Sequence, residues 1–287
     1  MDADDLRTAR EIGRRIFRMR SDAGITQDKL SAISGVDRSY ISELESGKCS
    51  LSVSVLYRLC TALKVSPAAA LEDYEPAPKV RQACFRNGVP LPPNITAIEI
   101  GNALQKTQDV FALLKNAAHI DLGSIIQGNN FSGVVSNIFT KMLAESSQYN
   151  EFSEQRYPDL KGPDGTGLEV KASVNPWKGG EGHNGHSGWH IVVCYCKISG
   201  GQIEFSQVEI AELIGFGLNS SDWKYLGSKR NNNDSQRTET YITTAIGTAK
   251  LRDGTLYLRE DLAPVRDGMK AARKRVDLRL PSFSPFF

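Results

Sequence analysis

The chain has 287 residues, of which 40% are hydrophobic and 24% charged, and its formal net charge is +2 at pH 7. This length suffices for about two ordinary domains, and the composition argues against intrinsic disorder, while so small a net charge neither requires nor excludes a nucleic-acid partner. No apolar run approaches the ~20 residues of a membrane helix, and the N-terminus has no apolar signal core. The five cysteines include no CxxC pair. We therefore expect a cytoplasmic protein without a membrane partner or a disulfide framework.

The first part of the chain, residues 9 to 72, is predicted to form packed short helices. Ile12, Ile16 and Met19 recur at helical spacing, and Gly24 is placed to end this helix in a left-handed cap. Thr26 is a good N-cap for the next segment, QDKLSAIS. Further helices are expected to begin near Asp37, after Ser52 and at Ser66-Pro67.

Two of these helices have the spacing of a helix-turn-helix, in which short helices meet at a steep angle across a tight turn. The first runs from Gln27 to Ser34, Gly35 supplies the turn, and the second runs from Arg38 to Ser46. The apolar side chains that we expect to face inward are Leu30, Ile33, Val36, Ile41 and Leu44. The side chains that we expect to contact DNA, at the starts of the two helices, are Gln27, Arg38, Ser39, Tyr40, Ser42 and Glu43.

The segment from residue 26 to residue 71 resembles the Cro/phage-repressor (XRE-like) type of helix-turn-helix. It matches the pattern of that family at Gln27, Leu30, Gly35, Val36, Ile41, Ser42, Glu45, Gly47, Leu56, Leu63 and Val65. It differs at Ser31, where alanine is usual, and at Leu51, where proline is frequent. The resemblance implies an all-α, five-helix DNA-binding domain, which we assign to residues 1–75. The alternative is a helical bundle that only docks proteins, since this module is not net basic.

A proline-rich linker is expected at residues 76–94, and a second domain at residues 95–287. Its first helices are predicted at about 95 to 118 and from Ser132 to about Glu145. From Tyr157 onward the strand patterns are RYPDLKG, LEVKAS, WHIVVCYCKI, QIEFSQ, WKYLG, TYITTAIG and TLYLRE. Helices followed by mixed strands predict an α/β or α+β domain.

Three side chains of this second domain are predicted to converge. Glu169 and Lys171 stand two apart in a strand and therefore share a face, and the turn signal PDGTG folds Asp159 back opposite them. Carboxylate oxygens suit Mg²⁺, or another divalent cation such as Mn²⁺, and a lysine can stabilise charge that develops on a phosphate. The trio is therefore typical of metal-dependent phosphodiester hydrolysis. The alternative is a surface hairpin with a solvated Glu–Lys pair.

The motif Pro158-Asp159…Glu169-x-Lys171 resembles the PD-(D/E)xK nuclease superfamily. The resemblance implies a mixed sheet flanked by helices, metal binding by Asp159 and Glu169, and a catalytic role for all three residues. Members often add an acidic residue from the preceding helix, for which Glu145 is the candidate and Glu154 a weaker one. Asp164, in the turn itself, is a rival for the first ligand and is expected to lie too far from Lys171.

Two polar segments near this motif are candidate DNA-binding loops. The first, NPWKGGEGHNGHSGWH, offers Lys178, His183 and His186; the alternatives are a mobile surface loop or a zinc site that includes His190. The second, GSKRNNNDSQRTETY, offers Lys229, Arg230 and Arg237, whose side chains can contact bases or phosphates; the alternative is an ordinary polar loop.

These expectations combine into a function. The two resemblances imply a site-specific, Mg²⁺-dependent endonuclease of the type II restriction kind that cuts double-stranded DNA as a homodimer, with the helix-turn-helix aiding target recognition. The alternative is a non-enzymatic transcriptional regulator whose C-terminal domain binds an effector or dimerises. A third possibility is an enzyme of the same fold that acts on RNA or on damaged DNA.

Overall fold

The computed structural model of the chain describes residues 3–71, 77–118, 120–152, 158–178, 181–182, 185–198, 201–227, 240–272 and 280–287. The chain divides into two compact units, Met1–Pro76 with Asn116–His119, and Ala77–Lys115 with Ile120–Phe287. Of the helices in these described ranges, none combines the length and the apolar character that crossing a membrane requires.

Within the described residues 3–71, the first unit contains five helices, as the sequence predicts. They are α1 (Ala3–Asp22), α2 (Gln27–Ser34), α3 (Arg38–Glu45), α4 (Val53–Leu63) and α5 (Pro67–Leu71). The predicted caps form: Thr26 accepts from the backbone N–H of Lys29, and Gly24 adopts a left-handed φ of 65° after α1. These local signals decide where the helices begin and end because they satisfy backbone groups that a helix terminus leaves without partners.

The interior of the first unit is built from apolar side chains of α1 to α4. Ile16, Leu30, Ile41 and Leu44 are fully buried there. The prediction that Ile33 faces inward is wrong, because its side chain is 51% exposed. Helix α2 turns the stripe that contains Leu30 inward, and Ile33 lies to the side of that stripe.

The second unit combines helices with two sheets. Its helices are α6 (Ala97–Ala118), α7 (Leu122–Ile125), α8 (Gly128–Ser146), α9 (Ala245–Asp253) and α10 (Val265–Ala272). Its strands are β1 (Asn150–Glu151), β2 (Leu160–Lys161), β3 (Gly167–Ser173), β4 (Glu181–Gly182), β5 (Gly188–Lys197), β6 (Ile203–Leu213), β7 (Trp223–Gly227), β8 (Thr240–Thr243) and β9 (Thr255–Leu258). The segment TYITTAIG is not a continuous strand as predicted, because the hydroxyl of Thr244 accepts from Gly247 and starts α9 there.

In the part of the chain that the structure describes, the larger sheet has six strands in the order β1-β2-β3-β5-β6-β9. The pair β3–β5 is parallel and the other pairs are antiparallel, so the sheet is mixed. One face, with Val170, Val193 and Phe205, packs against a core that includes Phe139 of α8. The C-terminal region is thus a mixed sheet with helices, which confirms the predicted architecture at this level.

The other face of the large sheet carries the predicted site. Val192 and Cys194 of β5 pack there with Trp223, Tyr241 and other residues of a second apolar cluster. Trp223 and Tyr241 belong to a small sheet in the order β4-β8-β7. On this face, the polar side chains of the predicted site lie on β3, and the apolar side chains lie on β5 and on the small sheet.

Candidate DNA interface and acidic cluster

The start of α3 is organised by its N-cap. The carboxylate of Asp37 accepts from the backbone N–H of Ser39 at 2.7 Å, and its hydrogen bonds to Ser39 lower the pKa of Asp37. Between α2 and α3, Gly35 has a φ of 65° and supplies the predicted turn. Helix α3 therefore leaves the turn with its first residues projecting from the unit.

The residues predicted to contact DNA differ in how open they are. Arg38, Ser39 and Glu43 are exposed, whereas Tyr40 and Ser42 are half-buried. The Tyr40 hydroxyl donates to the carbonyl of Ser50 at 2.6 Å, so this side chain also braces the segment after α3. The exposed polar surface of α3 therefore spans its first two turns.

Arg38 forms an ion pair with Asp28 of α2. The distance from Nε to Oδ1 is 2.8 Å, and the two side chains are 60% and 75% exposed. Such exposed pairs contribute little to stability, typically about 0.2–1 kcal/mol. The guanidinium can therefore exchange this carboxylate for another anion at small cost.

A half-buried network, which sequence reasoning missed, connects α1, α2 and α3. Arg20 forms a two-pronged pair with Glu45, with distances of 2.6 Å and 2.8 Å, and this hydrogen bonding raises the pKa of Arg20. The side-chain amide of Gln27 also donates to Glu45, at 2.8 Å. The amide nitrogen of Gln27 thus points to Glu45, while the predicted phosphate contact of Gln27 stays a prediction.

The hairpin β2–β3 forms the core of the second candidate site. Leu160 pairs with Leu168 across the turn, which places Asp159 opposite the strand that carries Glu169 and Lys171. The Asp159 carboxylate accepts from the backbone N–H of Val170 at 2.7 Å. Nζ of Lys171 lies 2.6 Å from Oε1 of Glu169. The structure therefore brings the three side chains together at the β2–β3 hairpin of the large sheet, in what we name the acidic cluster (Asp159, Glu169 and Lys171).

The electrostatics of this cluster are those of two carboxylates and one ammonium group. Burial raises the pKa of Asp159, and the negative charge of Glu169 raises it further. The charge of Lys171 and the hydrogen bond from Val170 oppose this increase. Because the two carboxylates repel each other, added positive charge between them is stabilised.

His190 adjoins the acidic cluster. It is the parallel-strand partner of Glu169 in β5, so the two side chains share a face of the sheet. Burial lowers the pKa of His190 to about 4, and its Nδ1 lies 2.8 Å from the carbonyl of Gly188. Sequence reasoning considered this histidine only for a zinc site, because pairing between β3 and β5 cannot be read from the sequence.

Glu145 does not complete a metal site with Asp159 and Glu169. Among the described residues, no group of three or more His, Cys, Asp or Glu side chains could hold a metal ion. Glu145 instead lines a cavity of about 400 Å³ with Asn102, Gln105, Lys106 and Ser146. The rival Asp164 is used within its turn, where it accepts hydrogen bonds from Thr166.

The predicted loop contacts are only partly within the described residues. Lys178 and His186 are exposed, and the carbonyl of His186 accepts from Nε1 of Trp223 at 3.0 Å. His183, Lys229, Arg230 and Arg237 lie outside the described residues, as does Glu154. The DNA contacts of these loops stay predictions.

A fully buried carboxylate, Glu209, lies on the same face of the sheet as Lys171. Val192 pairs with both residues across β3, β5 and β6, which puts all three side chains in one row. Gln207 donates to Oε1 of Glu209 at 3.1 Å, whereas Oε2 has no hydrogen-bond partner among the described residues. Burial raises the pKa of Glu209 to about 7. The sequence IEFSQVEI gives no sign of this, because a glutamate at that spacing is usually solvated.

Comparisons with known proteins concern the first unit. A helix-turn-helix family model matches residues 16–69. An uncharacterized HTH-type transcriptional regulator, y4dJ of Sinorhizobium fredii, is 40% identical over 55 residues, which are 19% of this chain and 71% of that protein. The restriction-modification controller protein C.AhdI from Aeromonas hydrophila is 32% identical over 22% of this chain and 94% of its own, with a TM-score of 0.21. The clp gene regulator ClgR from C. glutamicum is 38% identical over 23% of this chain and 83% of its own, also with a TM-score of 0.21.

The matched residues include α2, Gly35 and α3, which are the elements whose geometry is that of a helix-turn-helix. The identity to y4dJ extends over most of the length of that regulator. Through its N-terminal helices, this chain belongs to the helix-turn-helix family.

Proposed function

We propose that this chain is a sequence-specific DNA-binding transcriptional regulator in which α3 enters the major groove of double-stranded DNA. The observation that carries the proposal is the exposed surface of the first two turns of α3, where Arg38, Ser39 and Glu43 present polar side chains beyond a buried core. The identity to an HTH-type transcriptional regulator supports it. In helix-turn-helix proteins, this part of the second helix contacts base edges.

Arg38 is the side chain with the most direct route to a base. Its partner Asp28 is exposed, so the pair can open at small cost. A freed guanidinium can donate two hydrogen bonds to one guanine, a contact that contributes about 1–3 kcal/mol of discrimination. The network of Arg20, Glu45 and Gln27 holds α3 in place for such a contact.

The test is selection of binding sequences from random duplexes, followed by affinity measurements with three forms of the full chain. Arg38→Ala is expected to weaken binding to the selected duplex about 5- to 150-fold and to relax the preference at one base pair. Arg14→Ala removes the same charge from an exposed position on α1 and serves as the matched control. Equal losses in the two variants, or no selected sequence at all, would contradict specific recognition by α3.

Hydrolysis of DNA is the second candidate function, and the convergence of the acidic cluster favours it. Mg²⁺ is often bound by one or two carboxylates while keeping several waters, so Asp159 and Glu169 fit this ion without a third acid. The chemistry that Mg²⁺ supplies at such a pair is polarisation of a phosphate and acidification of a water. Lys171, held 2.6 Å from Glu169, can orient that water or stabilise charge on the phosphate, and neutral His190 adds no competing cation.

Cleavage is tested by incubating the full chain with varied plasmid and genomic DNA, methylated and unmethylated, with Mg²⁺ or with a chelator. Discrete fragments are expected only with Mg²⁺, and Lys171→Ala should abolish them. Lys161→Ala, on the neighbouring strand β2, removes an exposed lysine and should leave cutting unchanged. Binding without cutting on every substrate would contradict hydrolysis and leave the regulator.

A further inference from the structure

A cavity of about 460 Å³ lies in the second unit, where β9 stops short of the end of β6. β9 pairs with β6 from Gln207 to Glu209, whereas β5 pairs with it as far as Leu213. The intervening residues of β6, from Ile210 to Glu212, line the cavity. Small-molecule sites typically have volumes of about 300–1,000 Å³, so this cavity is large enough for a ligand.

Two aromatic side chains, Trp189 and Phe283, form part of the cavity wall. Both are half-buried and pack against the apolar core of the second unit. The guanidinium of Arg86 donates to the carbonyl of Phe283 at 3.2 Å, and the next residue, Ser284, donates to Asp253 at 2.9 Å. A wall that is already tied in place loses little entropy when a ligand packs on it.

Glu212 stands beside the indole ring of Trp189. The two residues are cross-strand partners between β6 and β5, so their side chains share one face of the sheet. Glu212 is exposed, and its carboxylate is therefore accessible from solvent. A carboxylate attracts a cation directly, and the face of an indole ring attracts it through its quadrupole. The pair thus offers two kinds of attraction to the same positive charge.

The charges of the cavity wall favour a cationic occupant. Of the described residues that line the cavity, Glu212 and Asp253 are acidic and Lys250 is basic. The ammonium group of Lys250 lies 2.6 Å from the carboxylate of Asp222, which is fully buried. The charge of Lys250 is therefore matched within the protein, and an incoming cation has exposed Glu212 as its partner.

We propose that this cavity binds a small aromatic amine, whose ring packs on Trp189 and Phe283 and whose ammonium group pairs with Glu212. The ring contacts the apolar part of the wall, and the single positive charge fixes the orientation of the ligand. The inference does not depend on the proposed DNA-binding function, since every residue that carries it belongs to the second unit.

The experiment compares three probes that share a phenyl ring and a short chain but differ in charge at neutral pH. They are phenethylamine, a cation, phenethyl alcohol, which is neutral, and hydrocinnamate, an anion. Binding to the full chain is measured by calorimetry and by the fluorescence of Trp189 and the other tryptophans. Phenethylamine should bind more tightly than phenethyl alcohol by about tenfold, because a hydrogen bond to a charged group typically contributes that factor. Hydrocinnamate should bind most weakly.

Variants assign the contacts. Glu212→Gln should abolish the preference for the amine and leave the affinity for the alcohol unchanged. Glu151→Gln removes an exposed carboxylate from β1, at the opposite edge of the large sheet, and is the matched control. Phe283→Ala should weaken binding of both the amine and the alcohol. Circular dichroism checks folding, and Phe283→Leu, which keeps apolar bulk, replaces the alanine variant if that one unfolds.

Three results would overturn the inference. Equal affinity of the wild-type chain for the three probes, or a preference for hydrocinnamate, would contradict a cationic ligand. Equal effects of Glu212→Gln and Glu151→Gln would contradict the pairing with Glu212. Failure to bind any of the probes would contradict the ligand site itself and would leave recognition of DNA by α3 unaffected.

Discussion

Replacing Glu209 by glutamine tests the buried polar part of the sheet face. Glu209 is fully buried, accepts from Gln207 and has Arg252 as its opposing charge. Burial raises the pKa of the Cys194 thiol, and the nearby Glu209 carboxylate raises it further. Glutamine keeps the shape and the accepting oxygen but cannot ionise. The substitution therefore removes one titration and changes little else in volume.

The magnitude follows from the pKa. Burial raises the pKa of Glu209 from 4.5 to about 7, which corresponds to about 3 kcal/mol of folding free energy. Because the folded pKa lies above the unfolded one, this stability is fully present below pH 4.5 and is lost as the pH rises through about 7. Between pH 5 and pH 8, the wild-type second unit should thus lose about 2–3 kcal/mol more stability than Glu209→Gln. The attraction between ionised Glu209 and Arg252 is already included in this pKa, so an offset between the two proteins at pH 5, where Glu209 is protonated, reflects hydrogen bonding and packing.

The assay is urea unfolding at pH 5, 6, 7 and 8, followed by tryptophan fluorescence. All three tryptophans, Trp177, Trp189 and Trp223, belong to the second unit, so the signal reports on its unfolding alone. Urea is preferred to guanidinium because it leaves the ionic strength constant. Parallel pH profiles for the two proteins would refute the reasoning, whatever the offset between them.

The other predictions concern both units. Gly35→Ala should destabilise the first unit by about 1–2 kcal/mol, because alanine is strained at a φ of 65°. The loss should exceed that of Gly24→Ala, which has the same φ, because only a Cβ at position 35 would also displace Arg58. Circular dichroism melts of the two variants measure the difference, and equal melting temperatures would contradict it. Glu45→Gln should cost about 1–3 kcal/mol in the same assay, since it removes the charge that pairs with half-buried Arg20. Exposed Glu43→Gln is the control, and similar small losses in both would contradict a structural role for Glu45. His190 should show no NMR titration between pH 5.5 and 8, because burial lowers its pKa to about 4. Its contribution to the stability of the fold should be lost only as the pH falls below 6.5, the ordinary pKa of histidine. A titration midpoint near 6.5 would show that the ring is solvated.

The sequence by itself determined the helix-turn-helix and the hairpin of the acidic cluster. Both depend on short-range signals: the Thr26 cap and the left-handed Gly35 in the first unit, and the PDGTG turn with the alternation of Glu169 and Lys171 in the second. Caps, turns and strand alternation are decided by neighbours within a few residues, so they can be read before the chain is folded.

Only the tertiary structure decided which distant residues join these sites. His190 reaches the acidic cluster because β3 and β5 pair in parallel, and Glu145 stays outside it because α8 presents that side chain to a different cavity. Glu209 is buried by β9 and α9, and the rings of Tyr225 and Tyr241 meet because β7 and β8 pair. Strand order and helix placement depend on contacts between segments far apart in the chain, and no local pattern specifies them.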